Sequence, residues 1–283
     1  MNGLLSPPWR LPGGRFSGLA LGTWLVCVAP GLWLAYEALA DRLGARPLTS
    51  AIHESGLWAI RLLWLCLLVT PLSRIADRPR LLLVRRMLGL WAMSYALLHL
   101  LLYVADQGFV LPTVLAEIVS RSYLTIGAVA LTILTVLGVT SHAALIRRLG
   151  GRRWRRLHRL IYPAACLAFV HFLLQTRLDP SEAWVMAGCL LLLFAARSAW
   201  MRRPDRLALA AVAAALATAG IEAAWFGLTT GIGAWPILRA NTDGGAFPRP
   251  AAVVLLIGLV PAALRLLSAR RPALPATSSR RDP

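Results

Sequence analysis

Long apolar runs constrain this chain more than any other feature. Eight of them, at about 17–39, 56–73, 86–104, 122–146, 158–176, 182–200, 207–228 and 251–268, approach the ~20 residues that an α-helix needs to cross bilayer hydrocarbon. None shows the short alternating polarity of a barrel strand. Lipid offers an open backbone no hydrogen-bond partner, so the runs predict an all-α, polytopic transmembrane bundle. Charged residues make up 15% of the chain, against roughly a quarter in soluble domains. The first run is too long for a signal-peptide core and lacks a small-residue exit, so an uncleaved first span is expected.

The arginines orient the bundle. There is no lysine, and of 30 basic residues 23 fall at the N-terminus, near 74–86, 147–159 and 197–206, and in the C-terminal tail. The other side holds seven: Arg42, Arg46, Arg61, Arg121, Arg177, Arg239 and Arg249. The positive-inside rule then predicts cytoplasmic N- and C-termini. It also explains the formal charge of +18 without nucleic acid, because the arginines lie in short loops between apolar runs. The loop from Ala105 to Arg121 is expected to hold a short surface helix. The long outer loop from Thr229 to Pro250, rich in Gly and Pro, reads as irregular.

Four histidines fall within the apolar runs, and three of them are candidates: His99 in the third, and His158 and His171 in the fifth. Imidazole in a membrane interior is costly without a partner, which makes each a functional candidate, and neutral imidazole is a haem-iron ligand. Both runs enter from the arginine-rich side, so His99 and His171 share the outer leaflet and can clamp one iron between spans three and five. His158 lies about 20 Å lower along the same span. Thirteen residues turn an ideal helix to about 140° from the starting face, and Pro163 is the one residue between them able to kink it. Arg85 lies fourteen residues before His99, within about 40° of the same face. It can pair with a haem propionate or simply mark the positive-inside boundary. His142 reads as an interface residue, and His53, placed in an outer loop, receives no haem role.

The four cysteines, Cys27, Cys66, Cys166 and Cys189, all lie in apolar runs and form no CxxCH attachment site, so any haem is expected to be non-covalent. No glycine-rich dinucleotide fingerprint and no segment long enough for a soluble domain is evident. A reductant is therefore expected from outside the chain.

Several segments carry a family resemblance. They are Leu68-Val-Thr-Pro71-Leu, Arg85-Arg-Met-Leu-Gly-Leu-Trp91 through His99, Arg121-Ser-Tyr-Leu-Thr-Ile-Gly127, and Leu149-Gly-Gly-Arg-Arg-Trp-Arg-Arg-Leu-His158-Arg-Leu-Ile-Tyr162 through His171. Together they resemble the MsrQ (formerly YedZ) family, the haem-binding membrane subunits of the periplasmic methionine sulfoxide reductase system, within the wider ferric-reductase-like transmembrane group. The resemblance implies haem b, one or two per chain, with His99, His158 and His171 as iron ligands. It implies electron flow from a cytosolic flavin reductase, bound FMN or the quinone pool to a periplasmic molybdopterin-dependent reductase.

The resulting organisation is a cytoplasmic N-terminus (1–16), a six-helix haem-binding transmembrane domain (17–200), two additional helices with a long outer loop (201–268) and a disordered cytoplasmic tail (269–283). The last two helices depart from the family pattern. Within them Glu222 is an acid inside a span, which needs a partner or a cavity. A partner contact, a proton path and a protonated hydrogen bond within the bundle are the readings, and the last is favoured. Two other functions compete with the electron conduit: a ferric or cupric reductase, and a structural membrane protein whose histidines only pack.

Overall fold

The computed structural model describes residues 7, 9–10, 15–176, 180–198, 203–243 and 249–269. The predicted tail and most of the N-terminal segment lie outside these residues. The described residues form eleven α-helices and no strand beyond one isolated bridge. They are α1 (Gly18–Leu39), α2 (Pro47–Ile75), α3 (Arg85–Asp106), α4 (Leu111–Ser120), α5 (Ser122–Val139), α6 (Ala143–Leu157), α7 (Ile161–Gln175), α8 (Ser181–Ala195), α9 (Pro204–Thr230), α10 (Ala234–Thr242) and α11 (Pro250–Ala269). The chain is thus an all-α, multi-pass membrane protein. Six helical stretches are long and apolar enough to span a bilayer: Gly18–Leu39, Pro47–Ile75, Pro79–Asp106, Ser122–Val139, Ala143–Gln175 and Asp205–Thr230. The runs read at 182–200 and 251–268 form shorter apolar stretches, Ser181–Ala195 and Pro250–Ala263.

Several boundaries differ from the sequence reading, each for a local reason. Pro47 starts α2 nine residues before the predicted span, as proline does where its missing N–H costs nothing, so His53 lies on a helix and not in a loop. The fourth run ends at Thr140, not 146. His142 adopts an extended conformation and its Nδ1 caps the amide of Ala144, starting the arginine-rich amphipathic helix α6. The outer loop at 229–250 is partly helical. Gly231, at φ 72°, ends α9 in the left-handed conformation that glycine takes without steric cost, and α10 follows. The expected short helix at 105–121 is α4.

The main core is built from α2, α3, α5, α7 and α8, around Leu62, Leu63, Leu67, Ala92, Ala164 and Leu190. α3 packs along α2, and α7 along α5. Helix α9 packs with α8 and α11. The contact is close because small residues let backbones approach, as in membrane bundles generally. A Cβ on Gly258 would stand 2.6 Å from the Ala211 Cβ, and one on Gly188 would collide with the Val254 side chain.

Two proline sites show how polar backbone is satisfied inside the apolar core. Pro71 has no N–H, so the carbonyl of Leu67, four residues back, loses its helical donor. Arg197 supplies one from Nη2 at 2.7 Å. Near Pro30 in α1, the Tyr95 hydroxyl donates to the Cys27 carbonyl at 2.9 Å.

Candidate metal centre

The two outer histidines come together. His99 is held on α3 and His171 on α7, with ring centroids 6.1 Å apart and planes at 83°. His99 Nδ1 lies 2.8 Å from the carbonyl oxygen of Ile52 on α2. His171 Nδ1 lies 2.8 Å from the carbonyl oxygen of Tyr123 on α5. A carbonyl only accepts, so each Nδ1 bears the proton and donates it, and each Nε2 keeps its lone pair. The depth match read from the sequence therefore corresponds to a real pair, on the two helices expected to carry it.

The pair suits an iron held in a macrocycle. A metal–imidazole bond is about 2 Å, so an ion between two imidazoles sets their centroids about 6 Å apart. Among the described residues no group of three or more His, Cys, Asp or Glu could hold a bare ion. A zinc site takes at least three protein ligands, whereas haem brings its own equatorial donors and asks the protein only for axial ones. The residues present fit that demand.

A polar chain runs from α3 through α4 to α5 at the same end. Tyr103, one turn beyond His99, donates to Glu117 Oε2 at 2.6 Å. Arg121 donates to Glu117 Oε1 at 3.0 Å and to the Tyr123 hydroxyl at 3.1 Å. That hydrogen bond to Tyr123 raises the proton affinity of the Arg121 guanidinium. The Tyr123 ring centroid lies 6.4 Å from that of His171.

His158 is placed otherwise. It does not belong to the helix of His171: α6 ends at Leu157, a 3₁₀ turn spans His158–Leu160, and α7 begins at Ile161. The change of winding therefore comes before Pro163, which sits in the first turn of α7, where proline needs no donor. The His158 ring stacks on Trp154 with centroids 4.0 Å apart. Its Nδ1 is 3.2 Å from the Trp154 carbonyl and its Nε2 is 3.2 Å from Ser141 Oγ. Arg85 opens α3 at this same end, and its carbonyl accepts from the Cys66 thiol at 3.3 Å.

Glu222 is 3% exposed and accepts from Asn241 Nδ2 at 2.8 Å. Asn241 in turn donates to the Ile237 carbonyl and accepts from the Ala251 amide, tying α9, α10 and the start of α11 together. The acid's role here is as an acceptor, which an amide can also fill. Glu222→Gln is expected to keep the unfolding midpoint of the detergent-solubilised protein. Glu222→Leu, which strands the Asn241 donor, is expected to cost about 1–3 kcal/mol.

The carbonyls of Ile52 and Tyr123 left no mark in the sequence, since every residue carries one. His53 adjoins the first of them on α2.

Residues 55–169 match the family described as ferric reductase like transmembrane component. The chain is 40% identical over 178 residues to the protein-methionine-sulfoxide reductase heme-binding subunit MsrQ of Rhodospirillum rubrum, covering 62% of this chain and 86% of that one. It is 34% identical over 202 residues to the MsrQ of Ralstonia nicotianae, covering 70% and 93%. It is 41% identical over 157 residues to that of Caulobacter vibrioides, covering 55% and 75%. No solved structure matches the chain.

Proposed function

Since the chain belongs to the family of MsrQ, the haem-binding subunit of protein-methionine-sulfoxide reductase, we propose that it is a b-type haem protein carrying electrons across the bacterial inner membrane to a periplasmic methionine sulfoxide reductase. The observation that carries this reading is the His99–His171 pair, with both Nδ1 atoms tied to backbone carbonyls. Bound haem supplies a one-electron iron couple. The protein supplies the two Nε2 ligands, fixes their tautomer and, through the Nδ1 hydrogen bonds, raises their basicity.

The arginine-rich end faces the cytoplasm in this reading, along with both termini. Electrons enter there from a cytosolic flavin reductase, bound FMN or the quinone pool. Arg85 and His158 serve that inner end, Arg85 by meeting a haem propionate and His158 as a further iron ligand. The His99–His171 pair lies toward the periplasm, where a molybdopterin-dependent reductase accepts the electrons. Each sulfoxide reduced to methionine takes two electrons and two protons and releases water, so two one-electron deliveries serve one turnover.

The test is a dithionite-reduced-minus-oxidised spectrum of the purified protein, with haem per chain measured by pyridine haemochrome. The reduced protein is then mixed with a periplasmic molybdopterin-dependent methionine sulfoxide reductase and methionine sulfoxide. A b-type α-band that decays only when both are present is expected. Folded protein without haem, after haem-supplemented expression, would end the electron-carrier reading. Haem that stays reduced would end the assignment of the partner.

A further inference from the structure

The two histidines of the pair are seated alike, and each seat includes a glycine. The Ile52 carbonyl on α2 takes His99 Nδ1, and Gly56 follows four residues later. A Cβ on Gly56 would stand 2.8 Å from His99 Nδ1 and 3.0 Å from Cε1. The Tyr123 carbonyl on α5 takes His171 Nδ1, and Gly127 follows four residues later. A Cβ on Gly127 would stand 2.7 Å from His171 Nδ1, 2.9 Å from Cε1 and 3.1 Å from Cγ. These separations lie well inside van der Waals contact, so neither seat accepts alanine with its ring in place.

The spacing has a physical reason. In an α-helix the residue at i+4 lies on the same face one turn above the carbonyl of residue i, and its N–H already occupies one side of that oxygen. Any side chain there shades the second lone pair from a neighbouring helix. Glycine leaves it open to a donor.

The unit occurs twice with nearly the same chain separation, since carbonyl and histidine lie 47 residues apart in the first copy and 48 in the second. In both, the carbonyl and glycine lie near the start of one helix and the histidine lies on the helix that packs along it, α3 on α2 and α7 on α5.

We propose that the centre is assembled from two copies of one seat, carbonyl at i, glycine at i+4 and histidine on the packed helix, and that Gly56 and Gly127 are positioning residues that set axial-ligand strength. This rests on the haem reading. The glycines touch no iron ligand atom directly. They act by letting Nδ1–H reach its carbonyl, which makes Nε2 the more basic nitrogen and favours the ferric state. An added methyl drives the ring off the carbonyl, weakens that bond and tilts Nε2.

The test uses the full chain in detergent with Gly56→Ala, Gly127→Ala and, as control, Gly22→Ala, which has nothing within 4 Å of its added Cβ. Redox titration is expected to show the first two favouring the ferrous state about tenfold over wild type, ~59 mV for one electron. Electron paramagnetic resonance is expected to show loss of the six-coordinate low-spin signal in both, with the control unchanged. A wild-type potential and spin state in both glycine variants would overturn the proposal.

A thermal-melt cycle on haem-free protein tests the seat independently. Gly56→Ala is expected to lower the midpoint in the wild-type background and in His171→Ala, but not in His99→Ala, where the ring it strikes is gone. The converse is expected for Gly127→Ala. A Gly56→Ala penalty that persists in His99→Ala would overturn the seat. Wild-type protein that binds no haem would sink the functional reading instead, and this cycle would still decide the seat.

Discussion

Replacing His99 or His171 with alanine will strip haem from the protein, whereas His158→Ala will leave the haem between them in place. In the proposed reading His99 and His171 are the two protein ligands of that haem, and each is held by a 2.8 Å hydrogen bond at Nδ1. Losing an outer-shell partner of a metal ligand costs about 10–100-fold in affinity, so losing the ligand itself costs more. Neither ring is a main pillar of the core, which is carried by Leu62, Leu63, Leu67 and their neighbours. The variants should therefore still fold and run as the wild type on size exclusion. His158 is engaged at the other end with Trp154 and Ser141. Pyridine haemochrome measured beside size exclusion checks all three. Full haem content in folded His99→Ala would remove the pair as the binding site.

Replacing Arg197 with methionine will destabilise the bundle by about 3 kcal/mol, since a charged hydrogen bond is worth about 1.5–3 kcal/mol and a stranded acceptor costs about 1–3. Arg197 follows α8 and donates from Nη2 to the Leu67 carbonyl at 2.7 Å, from Nη1 to the Leu193 carbonyl, and from Nε to the Tyr162 hydroxyl at 3.2 Å. Its guanidinium also lies 5.1 Å from the centroid of the Tyr162 ring. It thereby joins α2, α7 and α8 at the arginine-rich end. Pro71 lacks an N–H, so Arg197 supplies the donor that the helix cannot give the Leu67 carbonyl. Pro71→Ala restores that donor, so Pro71→Ala in the Arg197→Met background is expected to recover about 1 kcal/mol. The four chains of this cycle, melted in detergent, read the coupling directly. Equal losses from Arg197→Met with and without Pro71 would show that the Leu67 carbonyl is not what Arg197 serves.

Hydropathy and arginine placement are properties of successive residues, so the sequence by itself determined the class: an all-α membrane bundle with one strongly basic end. It also matched His99 and His171 in depth by counting residues from a basic boundary, and the structure brings those two rings together. The ends of the helices were less legible. His142 as a cap, Pro47 as a first helical residue and Gly231 as a left-handed terminator each act on one or two backbone groups, a signal smaller than the hydropathy of the runs around them.

Only the tertiary structure decided what each histidine meets. The seat of His99 lies 47 residues away and that of His171 48 residues away, and both are backbone carbonyls, which no residue type announces. Gly56 and Gly127 read in the sequence as ordinary small residues of apolar helices, until packing brings a ring against each of them. His158 and His171 share one helical stretch, Ala143–Gln175, as the continuous apolar run implies. A 3₁₀ turn at His158–Leu160 changes the winding between them, and the Ser141 hydroxyl that meets His158 Nε2 lies 17 residues away, beyond the end of α5.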